Sequence, residues 1–457
     1  MGRKFDYQYI VIGSGAAGSA AALLAASLKC KVALVEADRW GGATLNYRDV
    51  PYLAALQFAQ SYHRAVAGAR FGLSSDNLRF NYPSALNWQA TATRRAGGNS
   101  KKAFEAAGID CYHGFAQFIN PHEIAVDKQQ IRGEKFLLAT GSTLAVNGIT
   151  GIDTVTCWSP DTALKMAKLP KSVLIVGAGA TGCELAEYFG ALGAKVVLVE
   201  AKERILPNED MEASEAIAKH LRQDLGVKIL TSSRVLALEP AEKQKRVVFL
   251  RAGQEKALRV AAVVLATSPE PQTDFGLENA GVKFTYRGIT VNKNLQTSVK
   301  HIYAAGDAIG GESSTEKANY EGRLATLNAL KHTGSMVNYT GFTRMTDTYP
   351  RVAKVGLNEA ECKQLRLKPR VAVVELKELC ASNVTDFRDG FVKLLTNRKK
   401  QIIGATVVAP EADLIIQEVA MALRCGLTAE ELAGTPHVAA GWSEAVRMAA
   451  RKLVEQK

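Results

Sequence analysis

The N-terminal segment carries the pattern that most limits how this chain can fold. A short apolar run, Tyr-Ile-Val-Ile at 9–12, leads directly into the loop Gly-Ser-Gly-Ala-Ala-Gly at 13–18. Mostly small apolar residues fill positions 19–27, and a second apolar run at 32–35 ends at Glu36. This order predicts a strand, a tight glycine turn, a helix and a second strand.

The three glycines of this loop each meet a physical requirement of dinucleotide binding. Gly13 allows the tight turn, Gly15 lets backbone N–H groups approach a pyrophosphate, and Gly18 lets the helix pack closely on the strand. The anion would then lie at the N-terminus of the helix, and Glu36 would accept hydrogen bonds from a ribose diol. A dinucleotide site is the interpretation that we favour; a glycine turn in an ordinary α/β domain is the alternative.

The same pattern occurs a second time further along the chain. An apolar run at 173–176 leads into Gly177, Gly179 and Gly182, and the next apolar run ends at Glu200. The first glycine and the acid are 23 positions apart in both copies. Two coincidental matches at one offset are improbable, so the sequence predicts two dinucleotide sites.

The acid of the second copy bears on the choice of nicotinamide. A carboxylate at this strand end favours a free ribose 2′-hydroxyl and repels a 2′-phosphate, so Glu200 argues for NAD over NADP. Lys202 and Arg204 lie just beyond and could weaken that preference.

Composition limits the remaining classes of function. The chain has 457 residues, of which 47% are hydrophobic and 22% charged, as in soluble globular proteins with several domains. The formal charge of +12 is spread along the chain rather than concentrated in a basic block, so we expect a solvated surface and no nucleic-acid partner. No apolar run is long enough for a membrane span, and the seven scattered cysteines indicate a reducing cytoplasm.

Five segments together give the chain a family resemblance. They are the two glycine loops, Ala-Thr-Gly at 139–141, Gly-Asp at 306–307 and Val-Gly-Leu-Asn-Glu at 355–359. The chain resembles, over essentially its whole length, the two-dinucleotide flavoprotein disulfide reductases: dihydrolipoamide dehydrogenase, glutathione reductase and mercuric reductase.

The resemblance implies an α/β fold with two Rossmann-like domains and a C-terminal α+β domain. An FAD-binding domain would comprise residues 1–147 and 269–337, and an NAD-binding domain residues 148–268. Residues 338–457 would form a dimerisation domain, so a homodimer is expected. Antiparallel strands, including a hairpin at 391–408, and helices at 411–425 and 428–434 are predicted in this last part.

The resemblance also assigns site residues. For FAD they are Gly13, Gly15, Gly18, Glu36, Gly42, Ala139, Thr140, Gly141 and Asp307; for NAD they are Gly177, Gly179, Gly182 and Glu200. Asp307 would hydrogen-bond the ribityl or pyrophosphate part of the flavin cofactor. Glu184 resembles the acid that lies beside the flavin and the nicotinamide. No metal site is expected.

The chain departs from the family where the family performs disulfide chemistry. The redox segment of the family reads Gly-Gly-Thr-Cys-Leu-Asn-x-Gly-Cys-Val-Pro-Ser-Lys. The corresponding segment here, 41–53, has Thr44 and Asp49 at the two cysteine positions and Leu53 at the lysine. The histidine of the family's His-x-His-Pro-Thr-x-x-Glu segment is replaced by Ala439. A dithiol relay is therefore excluded by this resemblance.

Three hypotheses for function remain open. The leading one is an FAD-dependent NAD(P)H oxidoreductase that passes electrons from FAD directly to a quinone, another small oxidant or a protein carrier. The second is an FAD-dependent dehydrogenase of an organic substrate with Asp49 as base, and the third is a non-catalytic flavin-binding protein. Asp49, Thr44 and Glu184 are the catalytic candidates. A carboxylate desolvated against the flavin would have a raised pKa, although Asp49 could instead simply bind backbone amides.

Overall fold

The computed structural model describes residues 5–72, 78–145 and 148–456. The predicted domain boundary at residue 147 lies outside these ranges. The described residues form two compact units. The first comprises 5–54, 84–145 and 268–339, and the second comprises 55–72, 78–83, 148–267 and 340–456.

The N-terminal part of the chain alternates strands and helices before it turns to short strands. Its elements are β1 (Tyr7–Ile12), α1 (Ala16–Ser27), β2 (Val32–Glu36), α2 (Gly42–Asn46), α3 (Asp49–Val66), α4 (Tyr82–Gly97), α5 (Ser100–Ala106), β3 (Asp110–His113), β4 (Ala116–Asn120), β5 (Glu123–Val126), β6 (Gln129–Leu138) and β7 (Ser142–Leu144).

The middle part repeats the strand–helix–strand order and then adds an antiparallel segment. Its elements are α6 (Pro160–Ala163), β8 (Ser172–Val176), α7 (Ala180–Ala191), β9 (Lys195–Val199), α8 (Met211–Gln223), β10 (Lys228–Leu230), β11 (Ser233–Ala241), β12 (Gln244–Arg251), β13 (Gln254–Val260) and β14 (Ala262–Leu265).

The remaining elements complete both units. Those that return to the first unit are β15 (Pro269–Pro271), β16 (Phe284–Thr285), β17 (Gly288–Ile289), β18 (Ile302–Ala304) and α9 (Thr315–Lys331). Those of the C-terminal part are β19 (Thr343–Thr346), β20 (Arg351–Gly356), α10 (Glu359–Gln364), β21 (Arg370–Glu375), α11 (Cys380–Thr385), β22 (Phe391–Thr396), β23 (Ile402–Ala409), α12 (Ala412–Cys425), α13 (Ala429–Gly434) and α14 (Glu444–Glu455). Short 3₁₀ turns lie at Ala67–Phe71, Ile152–Thr154, Gly306–Ile309 and Leu376–Glu378.

A parallel sheet in the order β3-β2-β1-β6, with β18 on the other side of β6, forms the centre of the first unit. Strand β1 is apolar and buried from Tyr9 to Ile12, because both faces of the sheet are covered there. Tyr9 and Val11 pack into the core that contains α1 and α9, whereas Ile10 and Ile12 pack into a second core on the opposite face. Helices α1 and α9 approach closely, since a Cβ at Gly322 would overlap the carbonyl oxygen of Ala17.

The second unit contains a parallel sheet in the order β10-β9-β8-β14, a three-stranded antiparallel sheet β11-β12-β13, and a five-stranded antiparallel sheet β19-β20-β23-β22-β21. These sheets confirm the predicted fold class of two Rossmann-like βαβ units and a C-terminal α+β part. The predicted hairpin is present as the antiparallel pair β22 and β23.

Two local features go beyond what the sequence patterns indicate. Helix α3 begins at Asp49 and has Pro51 in its first turn, where a proline loses no hydrogen bond. The sheet β11-β12-β13 has no counterpart in the sequence analysis. Its strands carry many charged residues, for example Arg246 and Lys256, so the apolar alternation that marks a strand is weak.

Candidate functional site

The first glycine loop joins β1 to α1 at the carboxyl edge of the parallel sheet. Gly13 has φ of 99°, a region that favours glycine. A Cβ at Gly13 would overlap the carbonyl oxygen of Ala139, and one at Gly18 would overlap that of Gly13. A Cβ at Gly15, in contrast, would meet nothing within 4 Å. Packing of the chain itself thus requires Gly13 and Gly18, while Gly15 leaves an open approach to the loop.

The open approach at Gly15 ends at the N-terminus of α1. Gly15 is the N-cap of this helix and provides no side-chain cap, and the first turn contains no acidic residue. The N–H groups at a helix start carry a partial positive charge that an anion can bind. This cradle fits the pyrophosphate of a dinucleotide such as FAD.

Glu36 stabilises the first glycine loop through hydrogen bonds. Its Oε2 accepts hydrogen bonds from the backbone N (2.8 Å) and the Oγ (2.6 Å) of Ser14, and its Oε1 accepts one from the backbone N of Asp38 at 2.8 Å. Because a carboxylate has about four acceptor positions, roughly one remains for a ribose hydroxyl. The sequence pattern predicts a role for Glu36 in ligand binding but gives no sign of these contacts within the loop.

The second glycine loop repeats the geometry of the first. A Cβ at Gly177 would lie 2.5 Å from the carbonyl oxygen of Ala266, and one at Gly182 would overlap that of Gly177. At Gly179, a Cβ would again meet nothing within 4 Å. The two loops, each between a strand and a helix, therefore share one required pair of glycines and one open position.

The acid of the second loop is held more loosely than that of the first. Glu200 accepts hydrogen bonds from the backbone N of Ala178 (2.7 Å) and of Lys202 (2.9 Å). Ala178 stands where the first loop has Ser14, so the hydroxyl contact is missing. More acceptor capacity of Glu200 is left for a ligand hydroxyl.

The segment after β6 lies beside the first loop. The backbone N of Ala139 donates to the carbonyl of Ile12 at 2.8 Å, and the hydroxyl of Thr140 donates to the carbonyl of Gln272 at 2.9 Å. Gly141 has φ of 76°, and a Cβ there would meet nothing within 4 Å. Gly141 thus leaves open space next to the first loop, as Gly15 does within it.

Gly42 brings the start of α2 against the first loop. Its φ is 61°, and a Cβ there would lie 2.5 Å from the Cα of Gly15. The helix that carries Thr44 consequently begins in direct contact with the loop.

Asp307 follows β18 and lies in a polar network of the first unit. Its Oδ2 accepts hydrogen bonds from the hydroxyl of Ser142 at 2.6 Å and from Nη1 of Arg48 at 3.2 Å. Arg48 directly precedes Asp49 in the sequence. Its ion pair is with Asp307.

Thr44 and Asp49 lie at opposite ends of a short hydrogen-bonded chain through Thr315. The Oγ1 of Thr315 donates to Oδ2 of Asp49 at 2.6 Å and lies 2.9 Å from Oγ1 of Thr44. All three residues are half-buried. Thr315 belongs to no sequence motif, and its one signal is its position after Ser314, the N-cap of α9.

The environment of Asp49 favours the protonated carboxyl group. Burial raises the pKa of Asp49, and the negative charges of Glu316 and Asp307 add to this effect. The hydrogen bond from Thr315 and the charge of Arg48 act in the opposite direction, and the net pKa stays above the usual range. Asp49 is therefore a group that can exchange a proton closer to neutral pH than an exposed aspartate.

Glu184 lies on α7 in the second unit. Its side chain is 8% exposed, and its Oε1 accepts a hydrogen bond from the backbone N of Asp347 at 2.8 Å. Thr44 and Asp49, in contrast, belong to the first unit.

His437 lies in the segment that contains Ala439, and both of its ring nitrogens have hydrogen-bonding partners nearby. His437 lies 2.8 Å from Oε2 of Glu418 on α12, and its other ring nitrogen lies 2.8 Å from the carbonyl of Thr435. All seven cysteines are free. Within the described ranges, no helix is long and apolar enough to cross a bilayer.

Comparisons with known proteins agree with this geometry. The family model for pyridine nucleotide-disulphide oxidoreductase matches residues 7–322, and the model for the dimerisation domain of that family matches residues 343–450. Mercuric reductase of Bacillus cereus is 31% identical over 437 residues, covering 94% of this chain and 69% of that protein. Dihydrolipoyl dehydrogenase of Bacillus subtilis (strain 168) is 29% identical over 440 residues, covering 94% and 92%.

Two solved structures are similar over the whole chain. The copper(II) complex of the HOCl-induced flavoprotein disulfide reductase RclA from Escherichia coli superimposes with a TM-score of 0.88 at 25% identity, covering 98% of this chain and 99% of that one. LpdA from Mycobacterium tuberculosis shares the fold, with a TM-score of 0.89 at 23% identity and coverage of 98% and 99%.

Proposed function

Since this chain belongs to the pyridine nucleotide-disulphide oxidoreductase family, a family of FAD- and NAD(P)H-dependent oxidoreductases, we propose that it passes electrons from NADH through FAD to an acceptor that is not a disulfide. The acceptor is a quinone, another small oxidant or a protein carrier. Bound FAD supplies the hydride chemistry; the chain supplies the two nucleotide cradles and the surroundings of the acceptor.

The single observation that carries this proposal is the chain Thr44–Thr315–Asp49. Two oxygen-bearing side chains occupy the positions at which the family carries its cysteine pair, and both are engaged through Thr315 at 2.9 and 2.6 Å. Neither a hydroxyl nor a carboxylate forms a disulfide or a thiolate. Electrons must therefore leave the cofactor without a dithiol relay at this position.

Each glycine loop has the geometry to bind one dinucleotide, so we assign one cofactor to each loop. We assign FAD to the first loop, because Asp307, Ser142 and the 139–141 edge lie in the same unit, and the nicotinamide to the second. The proposed domains are residues 1–147 with 269–337 for FAD, 148–268 for NAD and 338–457 for dimerisation. A homodimer in the cytoplasm is part of this proposal.

Glu200 and Arg204 support NADH as the reductant. Glu200 places a carboxylate at the strand end, where a 2′-phosphate would be repelled. The guanidinium of Arg204 donates to the backbone carbonyls of Leu206, Pro207 and Glu209 at 3.1, 2.9 and 2.7 Å. Arg204 is therefore bound to the backbone of its own loop and is not directed at a phosphate.

We expect Glu200→Ala to raise the ratio of kcat/KM for NADPH to that for NADH. Loss of one repulsive charge near a phosphate is worth about tenfold in this ratio. Steady-state kinetics with both nucleotides measures it. Glu36→Ala, the matched change in the first loop, should lower flavin content without changing the ratio. An unchanged ratio in Glu200→Ala would contradict the assignment of this acid to the nicotinamide ribose.

An anaerobic NADH titration of the purified holoprotein tests the proposed function. We expect one equivalent of NADH to bleach the flavin absorbance, and a quinone to restore it rapidly. Lipoamide and glutathione disulfide, added in separate samples, should not restore it. A dihydrolipoyl dehydrogenase assayed in parallel is the positive control for the disulfides.

The other outcomes identify the competing hypotheses. Disulfide reduction at the rate of the control enzyme would overturn the proposal. A flavin that NADH does not reduce would indicate a non-catalytic flavin-binding protein.

Asp49→Asn separates the leading proposal from a dehydrogenase of an organic substrate. The raised pKa of Asp49 gives the dehydrogenase its support, because such a carboxylate could act as a base. With asparagine, flavin reduction by NADH should persist, and reoxidation by quinone should lose its dependence on the ionisation of Asp49. Stopped-flow measurement of both half-reactions over a pH series is the test.

A further inference from the structure

Side chains from three helices form one hydrogen-bonded line of oxygens in the first unit. Thr44 lies on α2, Asp49 begins α3 and Thr315 begins α9. The line runs from Oγ1 of Thr44 through Oγ1 of Thr315 to Oδ2 of Asp49, with separations of 2.9 and 2.6 Å. Because the residues are 266 and 271 positions apart in the chain, only the folded unit creates this line.

When Asp49 is ionised, the number of protons on the three side chains determines which oxygen donates each hydrogen bond. A carboxylate only accepts hydrogen bonds, and each hydroxyl has a single proton. The proton of Thr315 is therefore directed to Asp49, and Thr44 must donate its own proton to Thr315. The oxygen of Thr44 then presents only lone pairs to a molecule beside it.

When Asp49 is protonated, each hydrogen bond of the line can be donated in the opposite direction. Asp49 donates to Thr315, Thr315 donates to Thr44, and the proton of Thr44 is available to a neighbouring acceptor atom. The two states differ in proton positions alone, so conversion between them requires no movement of the heavy atoms.

We propose that Thr315 is the central member of a proton relay that carries a proton from Asp49 through Thr44 to an acceptor of the quinone class. This inference rests on the proposed function, and it adds the source of the proton and the chemical class of the acceptor. Thr315 is a positioning and relay residue, since its hydroxyl contacts that of Thr44 and the carboxyl of Asp49.

The relay completes the balance of the overall reaction. NADH, a quinone and one proton give NAD⁺ and a quinol; the hydride of NADH accounts for two electrons and one hydrogen. The second hydrogen reaches a quinone oxygen as the proton of Thr44. An O–H bond of Thr44 breaks and is replaced by the proton of Thr315, which is replaced in turn by that of Asp49. Solvent then reprotonates Asp49.

The charges around Asp49 suit a proton donor. Burial, Glu316 on α9 and Asp307 raise the pKa of Asp49, whereas Thr315 and Arg48 lower it, with a net increase. Arg48 is partly neutralised by its ion pair with Asp307 at 3.2 Å. A protonated Asp49 is thus reached at a higher pH than for an exposed aspartate, and its half-buried position leaves a route to solvent.

The first test measures the pKa of Asp49 without any turnover. In the holoprotein, the infrared C=O stretch of the protonated carboxyl is followed against pH and assigned by its absence in Asp49→Asn. Thr315→Val should raise the pKa of Asp49 by about one unit, because a hydrogen bond to the carboxylate is lost. Thr315→Ser should restore the wild-type value. Thr44→Val should leave the value nearly unchanged, since Thr44 does not touch Asp49.

The second test measures transfer to the acceptor. Thr315→Val and Thr44→Val should each slow flavin reoxidation by quinone roughly 10- to 100-fold, the size of a lost proton transfer. Because the relay is serial, the double variant should be no slower than either single variant. Thr315→Ser should recover most of the rate. Flavin reduction by NADH should be unaffected in all of them.

Thr326→Val is the matched control on the same helix. Its hydroxyl donates to the carbonyl of Gly322 at 2.8 Å and not to Asp49, so both the pKa and the reoxidation rate should match those of the wild type. The relay would be overturned if Thr315→Val slowed flavin reoxidation by quinone while Thr44→Val did not. An unchanged Asp49 pKa in Thr315→Val would overturn it as well. If no quinone reoxidises the wild-type flavin, the proposed function fails, whereas the infrared shift still decides whether Thr315 and Asp49 are coupled.

Discussion

Single residues in this chain divide into those that the fold requires and those that leave room for a ligand. The glycine loops show the division most clearly. Gly13 and Gly18 are required because a Cβ would overlap a backbone carbonyl, whereas Gly15 has open space at the corresponding point. Identical residue types thus have different roles, which only the surrounding atoms reveal.

Gly15→Ala and Gly18→Ala form a matched pair that tests this division. Gly15 has φ of −66°, which alanine adopts without strain, so Gly15→Ala should fold with a loss of about 1 kcal/mol or less. Its added methyl group lies in the anion approach and should weaken FAD binding by at least about tenfold, or about 1.4 kcal/mol. Gly18→Ala should destabilise the protein by roughly 3 kcal/mol or more.

Urea unfolding and flavin titration of the two variants are the measurements. Equal flavin affinity in Gly15→Ala and the wild type would contradict the assignment of the cradle.

At the scale of secondary-structure elements, buried ionic groups link helices and strands of the second unit. Helices α7 and α8 are joined by His220, whose Nε2 lies 2.9 Å from Oε2 of Glu187 and whose Nδ1 lies 2.8 Å from Oδ2 of Asp224. Burial alone would lower the pKa of His220, but the two carboxylates outweigh it and raise the pKa to about 9. The ring of His63 faces His220, and burial lowers the pKa of His63.

The pairing of α7 with α8 should weaken in alkaline solution. Because the pKa of His220 is about 9 in the folded protein and about 6.5 when unfolded, its contribution is complete below about pH 6.5 and is lost as the pH rises through about 9. The change in the free energy of unfolding should be on the order of 3 kcal/mol.

Chemical unfolding at a series of pH values measures this change. His220→Gln should remove most of the pH dependence between pH 6.5 and 9. A wild-type stability that rises over that interval would show that the ring is not held charged by Glu187 and Asp224.

Strand β22 depends on an unusual buried lysine. Lys393 is fully buried, with its Nζ 2.7 Å from Oε1 of Glu212, 2.6 Å from Oε1 of Glu359 and 3.7 Å from Oδ1 of Asp210. We expect Lys393→Met to cost roughly 3 kcal/mol, because the buried Asp210 loses its counter-charge. Lys400→Met, which breaks an exposed pair with Glu430, is the control and should change stability by less than about 1 kcal/mol.

The free energy of unfolding of both variants decides the point. A loss of similar size in the two would mean that burial gives Lys393 no special importance.

At the scale of the whole molecule, we expect FAD binding to contribute to the stability of the fold. The first unit is assembled from three separated stretches of chain. The first loop and α2 belong to the first stretch and the 139–141 edge to the second, and together they border the proposed FAD site. A ligand that binds only the folded state stabilises that state by mass action. Flavin occupancy and folding of the first unit should therefore be coupled.

Removal of FAD should lower the melting temperature, and returning it should restore the original value. At a free FAD concentration one hundred times the dissociation constant, the gain is about 2.7 kcal/mol. Differential scanning calorimetry of apo- and holoprotein measures it, with Gly15→Ala as the variant in which added FAD should have a smaller effect. NADH added alone to the apoprotein distinguishes stabilisation of the second loop from that of the first.

Local patterns in the sequence determined the parts of this protein that depend on neighbouring residues. A buried strand, a glycine turn, a small-residue helix and an acid at the next strand end lie within one short stretch, so both βαβ units and the antiparallel pair β22–β23 followed from spacing alone. Thr44 and Asp49 at the positions where the resemblance places the cysteine pair were likewise visible, because they differ in residue type. The family model and the relatives confirm the family that these patterns indicated.

Only the tertiary structure decided which side chains meet across long stretches of chain. Arg48 follows from the sequence as a neighbour of Asp49, yet it pairs with Asp307, 259 positions away. Thr315 has no motif, and its contact with Thr44 and Asp49 exists because α9 returns to the first unit. His220 and Glu187 meet because α8 packs on α7. Hydrogen bonds reach only about 3 Å, so such partners are set by how the chain closes, whereas turns and strands are set by the local backbone.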